Sequence, residues 1–453
     1  MNLFRRSGQS DERQKQPKRE GKSRFRRVND WLHLWLGLIS GTIVFVVCLM
    51  GCVWVFNEEI TSILDPETNI EIRQQPVIPP SVVRQTAEKA YPGEEISYAN
   101  YQQGKVVRVG IGDYDADHYI LFLDPYTGKI IANKKMAKDE TDFWGWVLDG
   151  HRFLWLPWKI GRPIVNYATL VFVVLLITGL IWWYPKKWTQ STRDKSFKIK
   201  WNGSFKRVNL DLHNVLGFYA MIFLLALALT GMVYGIEWYS KGLYWITSGG
   251  ETLVGRNKLE SDSLQAGKLY NSSEAMDAAW AKVIKDHPDT KGFYYNFPDT
   301  TIAKSTISIT VYPSAGQFYN NQRYNFDRHT LKALSSKNIY DTEFSEAPFG
   351  TKLRRMNYDI HVGSILGFPG KVLAFLVTLI GASLPVTGFI IWWNRKGFGK
   401  GKDVGQRRKG MGSVGKNDMG QRATVKKPVF RPKTQKPGVS ASMSFTGLDN
   451  SNS

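Results

Sequence analysis

Four of the seven histidines, His33, His151, His213 and His361, each stand at one end of a membrane-length apolar run. His33 lies in Arg27-Val28-Asn29-Asp30-Trp31-Leu32-His33-Leu34-Trp35-Leu36-Gly37, and His213 lies in Arg207-Val208-Asn209-Leu210-Asp211-Leu212-His213-Asn214-Val215-Leu216-Gly217, an offset of 180. His151 and His361 precede apolar runs that end in Thr178-Gly179-Leu180-Ile181-Trp182-Trp183 and Thr387-Gly388-Phe389-Ile390-Ile391-Trp392-Trp393. Neutral imidazoles are good axial donors to haem iron, and the macrocycle itself is apolar. Two pairs at two depths therefore allow two bis-histidine haem b groups, with His33, His213, His151 and His361 as axial ligands. Six-coordinate iron favours electron transfer over binding at the metal. No Cys-x-x-Cys-His occurs, so the haem is not attached in the c-type manner. Structural zinc is the weaker alternative, because it wants four clustered ligands. A single histidine at a helix end is more often an interfacial residue than a ligand; four repeated in register reverse that expectation.

The elements that must carry these histidines are four spans: Leu34 to Phe56, Pro163 to Trp183, Val215 to Ile236 and Val372 to Trp393. Each can cross roughly 30 Å of hydrocarbon at about 1.5 Å per residue, and Asn166 is the only strongly polar interruption. The first follows a long basic segment and lacks a small-x-small cleavage site, which predicts an uncleaved anchor. His33 and His213 fall at one edge of the membrane, His151 and His361 at the other. A continuous helix would lift the outer pair roughly 15 Å above the apolar core. Pro157, Gly161, Pro163, Pro369 and Gly370 can break such helices, so Phe153 to Trp158 and Val362 to Phe368 are expected as short interfacial helices or helix caps.

Charge sets the orientation. Residues 1–29, 185–207 and 394–453 together hold 32 Lys and Arg against 7 acidic residues, whereas the remainder holds 28 against 32. Both termini and the 185–207 loop are thus expected on the cytoplasmic side, lying against anionic lipid. Basic residues that flank spans and tails rather than forming a folded face argue against a nucleic-acid partner. Cys48 and Cys52 read as small packing residues within the first span. The Trp182-Trp183 and Trp392-Trp393 pairs read as membrane-interface anchors, and Gly37, Gly41, Gly51, Gly217 and Gly231 as points of close approach by a helix or a haem face.

The organisation expected is membrane α-helical: four transmembrane helices in two repeats, each repeat carrying an extracytoplasmic α+β domain. Residues 1–29 form a basic disordered tail, 30–56 the first span, 57–150 the first polar domain, and 151–184 an interfacial segment with the second span. Residues 185–207 form a basic loop, 208–237 the third span, 238–358 the second polar domain, 359–394 an interfacial segment with the fourth span, and 395–453 a basic disordered tail. Each polar domain reads as a helix (80 to 90; 273 to 286) followed by strands and a turn, Asp124-Pro125-Tyr126-Thr127-Gly128-Lys129 or Asp327-Arg328-His329-Thr330-Leu331-Lys332. His118, His287 and His329 read as surface residues of these domains.

The repeated Leu-His…Leu-Gly elements, Ile360-His361…Gly367…Gly370 and the Thr-Gly-x-Ile…Trp-Trp endings resemble the PepSY-associated transmembrane family, and Asp124…Thr127-Gly128-Lys129 is similar to the closing turn of PepSY domains. The resemblance covers residues 25 to 396. Two departures stand out: Met50-Gly51 where the other spans have Thr-Gly, and Thr330-Leu331-Lys332 in place of Thr-Gly-Lys. The resemblance implies a multi-pass protein of the bacterial inner membrane with two extracytoplasmic PepSY-like domains. It implies further a haem-containing ferric-siderophore reductase, a transmembrane oxidoreductase that reduces siderophore-bound Fe(III) to Fe(II), or another periplasmic acceptor, for iron uptake. With no Gly-rich dinucleotide fingerprint, electrons would come from quinol or a separate cytoplasmic reductase. No catalytic or substrate-contacting residue can be assigned in the polar domains. The competing readings are a non-redox, membrane-anchored PepSY binding or regulatory protein acting on periplasmic partners, and a transporter of the chelate. The latter is weakened by the lack of an intramembrane carboxylate or a broken-helix pair.

Overall fold

The computed structural model describes residues 23–396 except 114, 115, 139, 256, 257 and 268. Of the tails expected over 1–29 and 395–453, residues 1–22 and 397–453 lie outside the described residues, whereas 24–29, expected as disordered tail, form the first turns of a helix that continues into the first span.

Among the described residues four helices are long and apolar enough to cross a membrane: Arg24–Trp54, Trp158–Trp183, Phe205–Gly235 and Ser364–Lys396. In chain order the first is α1 (Arg24–Trp54), followed by the short α2 (Asn57–Leu64) and α3 (Pro80–Ala90). Four strands come next: β1 (Ile96–Gln102), β2 (Val107–Ile111), β3 (His118–Leu123) and β4 (Ile130–Met136). Then come α4 (Phe143–Phe153), the second span α5 (Trp158–Trp183) and α6 (Gln190–Phe197). The third span begins as α7 (Phe205–Asp211), passes through a π turn over Leu212–Leu216 and continues as α8 (Gly217–Gly235). After α9 (Glu237–Thr247) and α10 (Ser272–Asp286) come β5 (Gly292–Asn296), β6 (Thr306–Tyr312), β7 (Gln322–Asp327) and β8 (Ala333–Leu334). The chain closes with α11 (Phe349–Val362) and α12 (Gly367–Lys396).

Where two separate polar domains were expected, the strands of both halves build one eight-stranded sheet, ordered β4-β3-β2-β1-β5-β6-β7-β8. The seam is the antiparallel β1–β5 pair, with Ala99 opposite Tyr295. One apolar core runs across it: Ala99, Val107, Val109, Leu121, Tyr295, Ile307 and Ile309 from the strands meet Val83 and Ala87 of α3 and Met276, Ala279 and Val283 of α10. Asp277 of α10 accepts from the Ser81 backbone N–H (2.9 Å) and hydroxyl (2.5 Å) of α3, tying the two covering helices together.

The two closing turns are built alike. Asp124 accepts from the N–H groups of Tyr126 and Thr127, and Asp327 from those of His329 and Thr330. Gly128 takes the left-handed conformation (φ 72°) and so does Leu331 (φ 57°). A side chain there costs roughly 1–2 kcal/mol; Leu331 offsets this by packing on the apolar core.

Among the spans, Val44 and Cys48 of α1, Phe172, Leu175 and Leu176 of α5, Ala220, Leu224 and Ala228 of α8, and Val377 and Ala382 of α12 form a second core. The cysteines are packing residues: Cys48 lies against Gly381, and Cys52 donates to Thr378 Oγ1 at 3.2 Å.

Of the stretches expected as short interfacial helices or helix caps, Phe153 to Trp158 holds the C-cap of α4 at Leu154 and Val362 to Phe368 holds a 3-10 turn over Ser364–Leu366; the outer histidines precede both. They sit on α4 and α11, helices of 11 and 14 residues that reverse direction before the spans begin. The reversals run through Leu154 and Trp155 (φ 58° and 56°) and through Gly363 (φ 83°). Both need a glycine on the following helix: a Cβ on Gly161 would come within 1.9 Å of the Phe153 carbonyl oxygen, and one on Gly370 within 2.1 Å of that of Gly363. Because α4 and α11 double back, His151 and His361 descend beside α1 and α8 instead of standing above the membrane core.

Candidate functional site

His33 of α1 faces His213 in the π turn, with ring centres 6.4 Å apart and planes at 85°. His151 of α4 faces His361 of α11, at 6.0 Å and 57°. An imidazole nitrogen sits about 2 Å from a bound first-row metal and about 1 Å from its own ring centre, so two rings trans on one metal have centres about 6 Å apart. Both pairs have that spacing. Among the described residues no three His, Cys, Asp or Glu side chains converge, so the donor set at each station is two imidazoles.

What points the rings is a recurring contact that reading along the chain did not find. His33 Nδ1 lies 3.0 Å from Thr178 Oγ1, His213 Nδ1 2.9 Å from Thr387 Oγ1, and His361 Nδ1 3.0 Å from Thr230 Oγ1. Each threonine hydroxyl donates to a carbonyl of its own helix: Thr178 to Leu175 (3.1 Å), Thr387 to Ser383 (2.9 Å) and Thr230 to Ala226 (2.7 Å). With its one hydrogen spent, the hydroxyl oxygen accepts. His151 Nδ1 lies 2.8 Å from the Val47 carbonyl, an acceptor only. All four rings are therefore Nδ1–H tautomers, and each keeps the Nε2 lone pair for a metal. Metal-bound histidines are oriented in this way by the bond their other nitrogen makes.

The residue after each threonine makes room for the ring. A Cβ on Gly179, Gly388 or Gly231 would lie 3.2, 3.3 or 3.0 Å from Cε1 of His33, His213 or His361, and one on Gly51 would lie 3.4 Å from His151. Four residues before three of the histidines, on the same helix face, an asparagine binds the same threonine's carbonyl: Asn29 to Thr178, Asn209 to Thr387 and Asn357 to Thr230, each at 3.1 Å. The fourth site is the exception, with Val147 for asparagine and Met50 for threonine. The signal in the sequence was the Thr-Gly pair in three of the four spans, which reads by itself as a helix-packing device.

The stations differ in room. His151 and His361 border a cavity of about 460 Å³, lined by Val44, Val47, Phe172, Leu224 and Leu227 within the membrane and by Arg152, Trp158, Arg162, Tyr234 and Tyr358 at its sheet end. That volume lies in the range of ligand pockets, ~300–1,000 Å³. The Arg152 and Arg162 guanidinium groups lie 4.8 and 4.1 Å from the centre of the Trp158 ring, and neither forms an ion pair among the described residues. The gap at His33 and His213 is about 60 Å³, walled by Leu180, Trp182, Trp183, Phe218, Met221 and Leu384. Ring-centre spacing there suits two imidazoles on one metal, while the gap is too small for a macrocycle as it stands. Trp183 also stacks on Phe218 at 3.7 Å and 6°, so the tryptophan pair expected as an interface anchor walls the inner site as well. Along α1 the two levels, His33 and Gly51, are eighteen residues apart, as are His213 and Gly231 along the third span, about 27 Å of helix.

The other histidines lie elsewhere. His118 Nδ1 meets the Ala116 carbonyl and His287 bonds the Tyr324 hydroxyl. His329, expected at the surface, is buried in its turn against the Ala303 carbonyl (2.8 Å).

A family model described as "PepSY-associated TM region" matches residues 31–395. No curated protein matches the chain.

Proposed function

We propose that this chain, which belongs to the PepSY-associated transmembrane family, carries electrons across a bacterial inner membrane between two bis-histidine haem b groups and reduces an Fe(III) chelate, such as a ferric siderophore, on the sheet side. The observation that supports this best is the pairing of four imidazoles whose Nδ1–H groups are spent and whose ring centres lie 6.0 and 6.4 Å apart.

A bound haem would supply a one-electron Fe(III)/Fe(II) couple. The chain's own residues do the rest. Thr178, Thr387 and Thr230 hold the tautomer, and the paired glycines set the depth of each ring. Leucine, valine and phenylalanine side chains keep water from the outer cavity, and Arg152 and Arg162 at its end would meet the haem's acid groups. Each Fe(III) reduced consumes one electron; a quinol donor would release two electrons with two protons on the side where it binds. The basic side is then cytoplasmic, with both termini there, and the chain is a duplicated unit of two spans with a PepSY-like insertion.

A second reading, a non-redox PepSY binding protein, draws support from the breadth of the continuous sheet. One experiment separates the two: a pyridine haemochrome assay on the purified protein. The electron-transfer reading expects about two haem b per chain, and a folded, colourless protein would overturn it.

A further inference from the structure

On one face of the sheet α3 and α10 cover Ala99, Val109, Tyr295 and Ile309; on the other Arg108 is exposed, Asn100, Tyr294 and Arg323 are half-buried and Thr310 is buried. On the opposite face the register sets Arg108 of β2, Asn100 of β1, Tyr294 of β5, Thr310 of β6 and Arg323 of β7 in one row across five adjacent strands. At about 4.8 Å per strand, Asn100 and Arg323 stand about 14 Å apart. Tyr98 stacks on Tyr294 at 5.2 Å and 12°.

This row carries unspent polar capacity. Asn100 Oδ1 and Arg323 Nε are both buried without a hydrogen-bond partner, whereas buried polar atoms are nearly always paired. Arg108 lies over the Phe122 ring, and among the described residues neither Arg108 nor Arg323 has a carboxylate partner. Asp327, the one carboxylate among the strand positions of this face, is occupied by the N–H groups of Asp262, His329 and Thr330. Burial raises the hydroxyl pKa of Tyr294, and that of Tyr312 to about 12, so both remain donors at neutral pH. Cationic donors without carboxylates suit an anion rich in oxygen.

The face also leads to the outer histidines. Tyr312, two positions along β6 from Thr310 on the same side, has its ring 5.5 Å from Phe318, and Phe318 lies 5.4 Å from Tyr358. Tyr358 lines the cavity that holds His151 and His361.

We propose that this row is the docking site of the electron acceptor, an anionic, oxygen-rich Fe(III) chelate whose oxygens accept from Arg323, Arg108 and the Tyr294 hydroxyl, and whose N–H or O–H donates to Asn100. Reduction of the docked chelate rests on the electron-transfer reading; its binding does not.

Gallium(III) chelates test binding alone, since Ga³⁺ matches Fe³⁺ in charge and is not reduced. Full-length protein is titrated calorimetrically with a Ga(III) tricatecholate, which carries three negative charges, and with a neutral Ga(III) trihydroxamate as the contrast, haem content being measured in parallel. Arg323→Gln and Asn100→Leu are expected to weaken binding of the tricatecholate by roughly 10- to 100-fold without changing haem content, and Arg323→Lys to restore part of the loss. Undiminished affinity in both variants, or a wild type that does not bind the tricatecholate more tightly than the trihydroxamate, overturns the site. Wild-type protein that binds gallium chelates through this row but holds no haem sinks the electron-transfer reading and leaves the docking site standing.

Discussion

Thr178 on α5 accepts the Nδ1–H of His33 on α1 at 3.0 Å while its own hydroxyl hydrogen is held by the Leu175 carbonyl. One threonine thereby determines which nitrogen of a histidine on another span is free. The same device recurs between Thr387 and His213 and between Thr230 and His361. Thr178→Val or Thr387→Val keeps the shape and removes the acceptor. Such outer contacts are worth about 10- to 100-fold in metal affinity, so each variant is expected to release the inner haem that much more readily in a competition assay with apomyoglobin. Thr→Ser should behave as wild type.

The glycines make a steric prediction. Since a Cβ at 231 already lies 3.0 Å from His361 Cε1, Gly231→Ala should be tolerated with a small shift of the ring. Gly231→Val has no such room, and is expected to abolish the outer haem while the inner haem is retained, read as half the wild-type haemochrome absorbance.

How far the chain could be read without its fold differs between these parts. The spans and the histidines at their ends are visible because hydropathy and residue type are local properties. Thr-Gly is visible too, but its meaning is not, since Thr178 and His33 are 145 positions apart and only the packing of α1 on α5 brings them together. The union of the polar stretches into one sheet was hidden for the same reason: strand edges do not announce their partners, and β1 and β5 pair across some 190 residues. Helix α4 was missed because its reversal passes through Leu154 and Trp155, left-handed residues of types that give no turn signal, whereas that of α11 passes through Gly363, a glycine among several near the span.

Arg355 on α11 is buried at 1% exposure, and its guanidinium donates to the carbonyls of Tyr319, Asn321, Ile339 and Thr342. Arg355→Met would strand those carbonyls. At least about 3 kcal/mol of local stability should be lost, seen as faster amide exchange over residues 317–342, with exchange in α5 unchanged.

The turn aspartates give a pH dependence with a definite sign. Burial opposes the charge of Asp124 and Asp327, yet their backbone N–H donors outweigh it and hold both carboxyls below the ordinary value of about 3.9. A folded value below the unfolded one contributes stability that is present above about pH 4 and lost as pH falls through the folded value. Asp124→Asn with Asp327→Asn keeps an acceptor oxygen in each turn. The double variant should show a flatter fall in melting temperature between pH 5 and pH 3 than the wild type; an unchanged slope would remove these turns from the acid response.

The central claim is that the histidines work as two pairs, and haem stoichiometry in single His→Ala variants tests it most directly. The account predicts that His33→Ala and His213→Ala each cost the same one of two spectroscopically distinct haems, that His151→Ala and His361→Ala each cost the other, and that losing both members of a pair costs no more than losing one. Four variants that keep the wild-type haem complement, or losses that follow any other pairing, would contradict it.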